Sequence, residues 1–265
     1  MSERTIELRT AWESVVGVPS PQAQTVFDDV VGRHRQAHRR YHGVRHVMWV
    51  VRHARALQSA LGVGAGSGPG RVDRHGSHGR DGGYDAGAVV AAAFFHDAVY
   101  DAGRADNEER SAQLAERELA ALGWSASRTA LVGALVRATA GHFTDADTDD
   151  SDADAGGAGP GVLERQVLLD ADLAVLGSEP AAYSDYATGV RAEHSHLADD
   201  AWAAGRGRVL RALLGRSRLY ATAPARSWWD ARARANLLAE LAGLAAFGRI
   251  SGSVSDEAGD APGPG

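Results

Sequence analysis

The stretch AAAFFHDAVYD, residues 91–101, places His96 and Asp97 at the end of a nearly unbroken apolar run. Titratable side chains in such a run cost free energy unless a hydrogen bond or an ion compensates them. One interpretation is a helix end, where the imidazole favours the C-terminal dipole and Asp97 caps the segment that follows. The other is a share in a metal site, and the residues of this stretch alone do not decide between the two.

The sequence around this stretch has a helical pattern. Ser20 followed by Pro21 predicts a helix start, and Asp106 three residues before Glu109 has the spacing of a capping box. Gly123 is placed to end the helix that begins there. Alternating apolar and polar strand patterns are scarce. We therefore expect an all-α fold, with one helical bundle spanning residues 1–250.

Three segments differ from this pattern in composition. Residues 62–83 are rich in glycine with almost no large apolar side chain, and residues 144–161 combine many aspartates with a Gly/Ala/Pro run. Such segments cannot offset their ordering entropy by burial, so both are predicted to be flexible insertions. For the same reason, the tail of residues 251–265 is predicted to be disordered.

Composition narrows the range of partners. The 265 residues carry a net charge of −6 and include no cysteine. This balance gives no support for nucleic-acid binding, and the lack of thiols excludes disulfides and thiolate zinc sites. The N-terminal residues lack the apolar core of a signal peptide, and the longest apolar run is too short to span a bilayer. We expect a cytoplasmic protein that acts on a small molecule without a membrane; its oligomeric state is left open.

Further candidate ligands lie elsewhere in the chain. His42 and His46 are four residues apart, a spacing that puts both on one helix face about 5–6 Å apart. Asp170 and Asp172 interrupt an otherwise apolar helix, so at least one of them needs a compensating partner. His142 falls on an apolar face and is more typical of a hydrogen-bonded core histidine. Three other histidines are predicted to lie at the surface: His34, His38 and His53.

The order His, then His-Asp, then Asp, each on its own helix, resembles the HD superfamily of metal-dependent phosphohydrolases. Consecutive segments of the chain are similar to one bacterial branch of that superfamily, over roughly residues 5–248. The similar segments are RRYHGVRHV (39–47), FFHDAVYD (94–101), DNEERSA (106–112), LLDADLAVLG (168–177), GRGRVLRALL (205–214) and ARANLLAEL (233–241). The resemblance is specific to the family and does not specify the substrate.

This resemblance implies a metal site made of His46, His96, Asp97 and Asp172. His46 is favoured over His42 because apolar Val50 follows one turn later, and Asp172 is favoured over Asp170 because it follows alanine. His42, Asp170 and His142 remain alternative or additional ligands, the histidines if Asp97 bridges a second ion.

Two imidazoles and two carboxylates suit Mn²⁺, Fe²⁺, Co²⁺, Ni²⁺, Zn²⁺ or, less well, Mg²⁺. Such an ion would activate water against a phosphate ester of a small molecule, with a nucleotide as the leading expectation from the superfamily. The alternative is a noncatalytic metal- or nucleotide-binding HD module with a sensing role.

Phosphate chemistry also needs positive charge and a proton acceptor. The candidate phosphate contacts are Arg39, Arg40, Arg191 and Arg206, because guanidinium binds phosphate in a bidentate manner. Catalytic roles are predicted for Asp97, as a metal ligand, and for Glu108 and Glu109, as general base or as support for the ligands.

Overall fold

A computed structural model describes residues 3–17, 19–63, 83–143 and 161–257. Over these ranges the fold is all-α, as the sequence predicts, and has ten α-helices and no strand. The helices are α1 (Glu3–Val16), α2 (Pro21–Arg33), α3 (Val44–Ala60), α4 (Ala86–Phe95), α5 (Asn107–Ala121), α6 (Ala126–Ala138), α7 (Val162–Asp172), α8 (Pro180–Glu193), α9 (Asp199–Gly215) and α10 (Ala223–Glu257). Two 3₁₀ segments, Thr139–Phe143 and Leu173–Gly177, follow α6 and α7.

Helix α4 lies at the centre of the bundle, and every residue from Ala88 to Phe95 is buried. Its run of alanines and valines presents small side chains on all sides, so α1, α3, α5, α6 and α7 all pack against it. A helix that is apolar all round is stable only when it is enclosed in this way. The C-terminal end of α4, where the apolar run stops, therefore lies inside the protein, and His96 follows at that end.

Local signals set several helix boundaries. The Ser20 hydroxyl accepts a hydrogen bond from the Ala23 amide at the start of α2, and Gly123 has a φ of 84° just after α5. The predicted capping box at Asp106 is wrong, because the Asp106 side chain makes no capping hydrogen bond. Its carboxylate pairs instead with Arg104, while Glu109 pairs with Arg137 on α6. Both side chains of the predicted capping box are therefore engaged in ion pairs.

The C-terminal helices pack around the segment that follows α7. Helix α10 packs against α9 and against the 3₁₀ segment Leu173–Gly177. A Cβ added at Gly177 would lie 2.9 Å from backbone atoms of Trp229, so glycine permits this close approach. None of the described helices combines the length and the apolar character needed to cross a membrane.

The predicted insertions and tail fall largely outside the described residues, which omit 64–82, 144–160 and 258–265. Helix α10 continues past Ser251 to Glu257, into the predicted tail. The division of the chain into a domain and a tail remains a prediction.

Candidate metal centre

Four predicted ligands come together where three helices meet. His46 lies in the first turn of α3, His96 caps the end of α4 with Asp97 next to it, and Asp172 is the last residue of α7. Because α3 packs against both α4 and α7, these helix positions face one another. The helix packing thus brings together residues that are far apart in the sequence.

The donor atoms of the four side chains form a tight cluster. His46 Nε2 lies 2.9 Å from His96 Nε2, 3.1 Å from Asp172 Oδ1 and 3.3 Å from Asp97 Oδ2. His96 Nε2 lies 3.1 Å from Asp97 Oδ2 and 3.6 Å from Asp172 Oδ1. Ligand atoms that each lie about 2 Å from a shared ion are separated by about 3 Å. The His46–His96–Asp97 group can therefore hold a metal ion, and Asp172 Oδ1 lies within 3.6 Å of both histidine Nε2 atoms.

The electrostatics of this cluster favour a positive charge. Burial alone lowers the pKa of His46, but its hydrogen bonds to Asp172 and Asp97 outweigh burial and raise this pKa to about 10. Burial raises the pKa of the Asp97 carboxyl, yet the neighbouring charges of His96 and His42 hold this pKa well below its usual value. The site therefore stabilises a cation among the carboxylates, either a proton or a metal ion.

The histidine ring nitrogens give a second indication. His96 Nδ1 lies 3.0 Å from the carbonyl oxygen of Ala93 and donates its proton to it, which leaves the Nε2 lone pair of the neutral ring facing the cluster. His46 Nδ1 is buried and has no hydrogen-bond partner among the described residues. In their neutral metal-binding forms the two rings would direct Nε2 lone pairs at each other, which repel unless a cation lies between them. The residues present thus fit a bound divalent ion.

The alternative ligand Asp170 has a structural role. Its carboxylate oxygens accept hydrogen bonds from the Ala221 amide, at 2.8 Å, and from the Thr222 amide and hydroxyl, at 2.7 and 2.6 Å. It thereby fixes the start of α10 against α7. Because it faces away from the histidine pair, Asp170 does not belong to the four-residue cluster.

His42 lies beside the cluster but is bound to another partner. Its Nδ1 is 2.6 Å from Glu193 Oε2, and its ring packs on the Tyr100 ring with centroids 4.3 Å apart. The His42 and His46 rings make an edge contact with centroids 5.5 Å apart. This histidine lines the site without joining the shared donor cluster. The side chain of His142, the other additional candidate, lies outside the described residues.

Glu193 is a site residue that the sequence analysis missed. Its Oε1 accepts hydrogen bonds from three consecutive backbone amides, those of Arg40, Tyr41 and His42, at 2.7–3.0 Å. The Tyr100 hydroxyl donates to its other oxygen. Burial raises the pKa of Glu193, but these bonds and the nearby His42 lower it to about 2, so the carboxylate stays ionised. No local pattern near Glu193 could have revealed a partner so distant along the chain.

Most of the arginines that were predicted to contact phosphate are instead bound to other groups of the protein. Arg39 is buried and donates to the carbonyl oxygens of His42, Asp97 and Ala98, so it supports the ligand backbone and does not face a substrate. Arg191 pairs with Asp199 at 2.7 Å and lies outside the cavity described below.

The two remaining predicted contacts also do not fit the role. Arg40 is exposed to solvent away from the cavity. Arg206 lines the cavity, but it is buried and makes a bidentate ion pair with Glu240, with contacts of 2.8 and 3.0 Å. A guanidinium that is already paired in this way gains little from a phosphate. Arg206 therefore does not match the predicted contact because of its partner, and Arg40 does not match it because of its position.

The two adjacent glutamates differ in position. Glu108 lines the cavity, whereas Glu109 is exposed and pairs with Arg137. Glu109 therefore does not fit the role of general base. Of the three histidines predicted at the surface, His38 is exposed and His53 half-buried, but His34 is buried. The surface prediction for His34 is wrong because its ring hydrogen-bonds Phe94 and Arg39 inside the bundle.

A cavity of about 570 Å³ opens directly beside the cluster. Asp97, Asp172 and His46 form part of its wall, together with His42, Tyr41 and Tyr100. Helix α9 contributes another part of the wall. The side chains of Asp97 and Asp172 keep 14% of their surface exposed, so the carboxylates of the cluster are reachable from the cavity.

The sequence matches no family model, and no curated protein or solved structure matches it.

Proposed function

We propose that this protein is a metal-dependent phosphohydrolase of the HD superfamily that hydrolyses a phosphate ester of a small molecule, with a nucleotide as the leading candidate. One observation carries the proposal: His46 Nε2 lies within 3.3 Å of the His96 Nε2 atom and of one carboxylate oxygen each of Asp97 and Asp172, and both carboxylates border an open cavity. Structural metal sites are enclosed by protein ligands, whereas catalytic sites keep positions open for water and substrate.

The order of the four residues along the chain supports the same proposal. His46, His96 with Asp97, and Asp172 are the positions to which the resemblance assigns the ligands, and one oxygen of each carboxylate lies within 3.6 Å of both histidine Nε2 atoms. The metal would be one of the divalent ions that accept nitrogen and oxygen ligands, among them Mn²⁺, Fe²⁺, Co²⁺, Ni²⁺ and Zn²⁺.

In the proposed reaction, water attacks the phosphorus and the ester P–O bond breaks, which gives inorganic phosphate and an alcohol. The bound ion supplies Lewis acidity, which lowers the pKa of water and polarises the phosphoryl oxygen. The chain supplies the ligands, with His96 oriented by the Ala93 carbonyl. Glu108, which lines the cavity and has no hydrogen bond to any described residue, is the proposed acceptor of the water proton.

An aromatic side chain packs against the first ligand at the cavity wall. The Tyr41 ring lies 4.8 Å from the His46 ring, and burial raises the pKa of the Tyr41 hydroxyl well above its usual value, so this hydroxyl stays neutral. Tyr41 thus adds an uncharged aromatic surface to the cavity wall beside His46.

The competing function is a noncatalytic sensor that binds a metal or nucleotide through the same residues. A screen with added Mn²⁺, Co²⁺ or Zn²⁺ against phosphomonoesters, nucleotides and cyclic dinucleotides separates the two. We expect metal-dependent release of phosphate that is lost in the Asp172→Asn variant. Tight nucleotide binding without any turnover, with all four ligands intact, would support the sensor and contradict the enzyme.

A further inference from the structure

Helix α9 forms part of the wall of the cavity that adjoins the metal cluster. Six of its residues line the cavity: Ala201, Trp202, Gly205, Arg206, Arg208 and Val209. The volume of about 570 Å³ lies within the range of about 300 to 1,000 Å³ that holds drug-sized ligands, and a phosphate group alone would fill only a small part of it. The α9 wall is therefore available to the rest of a substrate molecule.

Two arginines on this wall have opposite surroundings. Arg206 is buried and held by Glu240, as described above. Arg208 is exposed, lines the cavity and makes no hydrogen bond or ion pair with any residue that the structure describes. An exposed guanidinium at a cavity wall is suited to an anionic group, because it can donate two parallel hydrogen bonds to a carboxylate or phosphate.

Trp202 provides an aromatic surface on the same wall. Its half-buried indole contacts two neighbours: the His194 ring lies 5.3 Å away and the Arg191 guanidinium 5.5 Å away, centre to centre. Arg191 is itself fixed by Asp199 and by two backbone carbonyls. A tryptophan held in this way loses little further side-chain entropy when a planar group stacks on it.

The space by these two side chains is open. A Cβ added at Gly205 would meet nothing within 4 Å, although this residue lies on the cavity wall between Trp202 and Arg208. Glycine in a helix interior costs about 0.5–1 kcal/mol relative to alanine, so its presence here is not explained by helix stability. The small residue leaves room for a ligand.

We propose that Trp202, Gly205 and Arg208 form a leaving-group subsite, which selects substrates whose leaving group is aromatic and carries a second anionic charge. The inference rests on the proposed function, since it assumes that the phosphoryl group lies at the metal cluster. It adds the class of molecule attached to that phosphoryl group: Trp202 stacks on the ring, and Arg208 pairs with the second anion.

Phosphonates test this subsite without turnover, because their C–P bond is not hydrolysed. Four probes form a matched series: methylphosphonate, cyclohexylmethylphosphonate, benzylphosphonate and 4-carboxybenzylphosphonate. Their dissociation constants are measured by calorimetry on the full chain with Mn²⁺ present. We expect the benzyl probe to bind roughly fivefold more tightly than the cyclohexylmethyl probe and the added carboxylate to give about a further tenfold.

Single variants assign each preference to a residue. Arg208→Gln should abolish the gain from the carboxylate, while Arg211→Gln, an exposed arginine on α9 outside the cavity, should preserve it. Trp202→Leu should remove the preference for the benzyl over the cyclohexylmethyl probe. Gly205→Leu should weaken the carboxybenzyl probe about tenfold or more and leave methylphosphonate unaffected. Gly32→Leu, at a second helical glycine with open space, is its control.

The outcomes separate the two proposals. If methylphosphonate binds but the ring and the carboxylate bring no gain, or if Arg208→Gln and Arg211→Gln behave alike, the subsite is overturned while the phosphohydrolase proposal stands. If no phosphonate binds to the Mn²⁺-treated protein, both the phosphoryl site and the subsite that depends on it are overturned.

Discussion

His46 Nε2 and His96 Nε2 lie 2.9 Å apart, on two helices whose residues are separated by fifty positions in the chain. Both rings are buried, and both point their Nε2 atoms at the carboxylates of Asp97 and Asp172. This distance requires either a proton on one of the two Nε2 atoms, shared as a hydrogen bond, or a metal ion between the rings. This pair is therefore the most direct structural test of the metal hypothesis.

The first prediction concerns metal content. We expect the purified protein to carry close to one transition-metal ion per chain and His96→Ala to lose it, because this change removes one of the two nitrogen ligands. Elemental analysis of both proteins provides the measurement, with the exposed His38→Ala as the matched control. Equal metal in the wild type and in His96→Ala would place the ion elsewhere and remove the basis of the hypothesis.

The second prediction separates Asp170 from Asp172. Asp172→Asn should sharply reduce metal content and phosphatase activity, since an amide is a poorer and neutral ligand, while the fold survives. Asp170→Asn should retain metal but lower the free energy of unfolding by about 1–3 kcal/mol, because an amide cannot accept all three hydrogen bonds from Ala221 and Thr222. Urea unfolding and elemental analysis measure the two effects. The reversed pattern would show that Asp170 is the ligand.

A third prediction concerns the turn before α3. Glu193→Gln replaces one carboxylate oxygen by an NH₂ group, so either a backbone amide or His42 Nδ1 loses its acceptor. We expect a loss of about 1–3 kcal/mol in the free energy of unfolding, with metal content retained. The exposed Glu13→Gln should change neither quantity. Loss of metal from Glu193→Gln at full stability would instead make Glu193 part of the ligand set.

The fourth prediction is a pH dependence of stability that arises from His34. Burial, reinforced by the charge of Arg39, lowers the pKa of His34 in the folded protein from 6.5 to about 3. Between these values the unfolded chain binds a proton that the folded protein does not, so this group's contribution to stability is present above pH 6.5 and is lost as the pH falls. The slope is at most about 1.4 kcal/mol per pH unit.

The measurement is urea unfolding of wild type and His34→Gln at several values between pH 6.5 and 4.5. The variant should lose stability less steeply with acid than the wild type, whatever its stability at neutral pH. The exposed His38→Gln serves as control. Equal slopes in wild type and His34→Gln would show that His34 is protonated in the folded protein without cost.

The sequence by itself determined the all-α class and the central place of the His-Asp pair. A run such as AGAVVAAAFF (86–95) is apolar on every side, so it must be enclosed wherever it lies, and its polar end at His96 must find partners inside the protein. The start of α2 at Ser20 and the end of α5 before Gly123 also depend only on neighbouring residues. Local chemistry was sufficient for these features.

Tertiary structure alone decided which side chains face the site. Residues two positions apart on a helix point about 200° apart, so Asp170 and Asp172 cannot share a surface. Which of the two faces the cavity depends on how α7 is rotated against distant partners, such as Thr222 for Asp170. Both Arg206 and Arg208 line the cavity, but only the tertiary structure pairs Arg206 with Glu240. Those partners are set by packing across the whole chain, and the spacing within one helix carries no information about them.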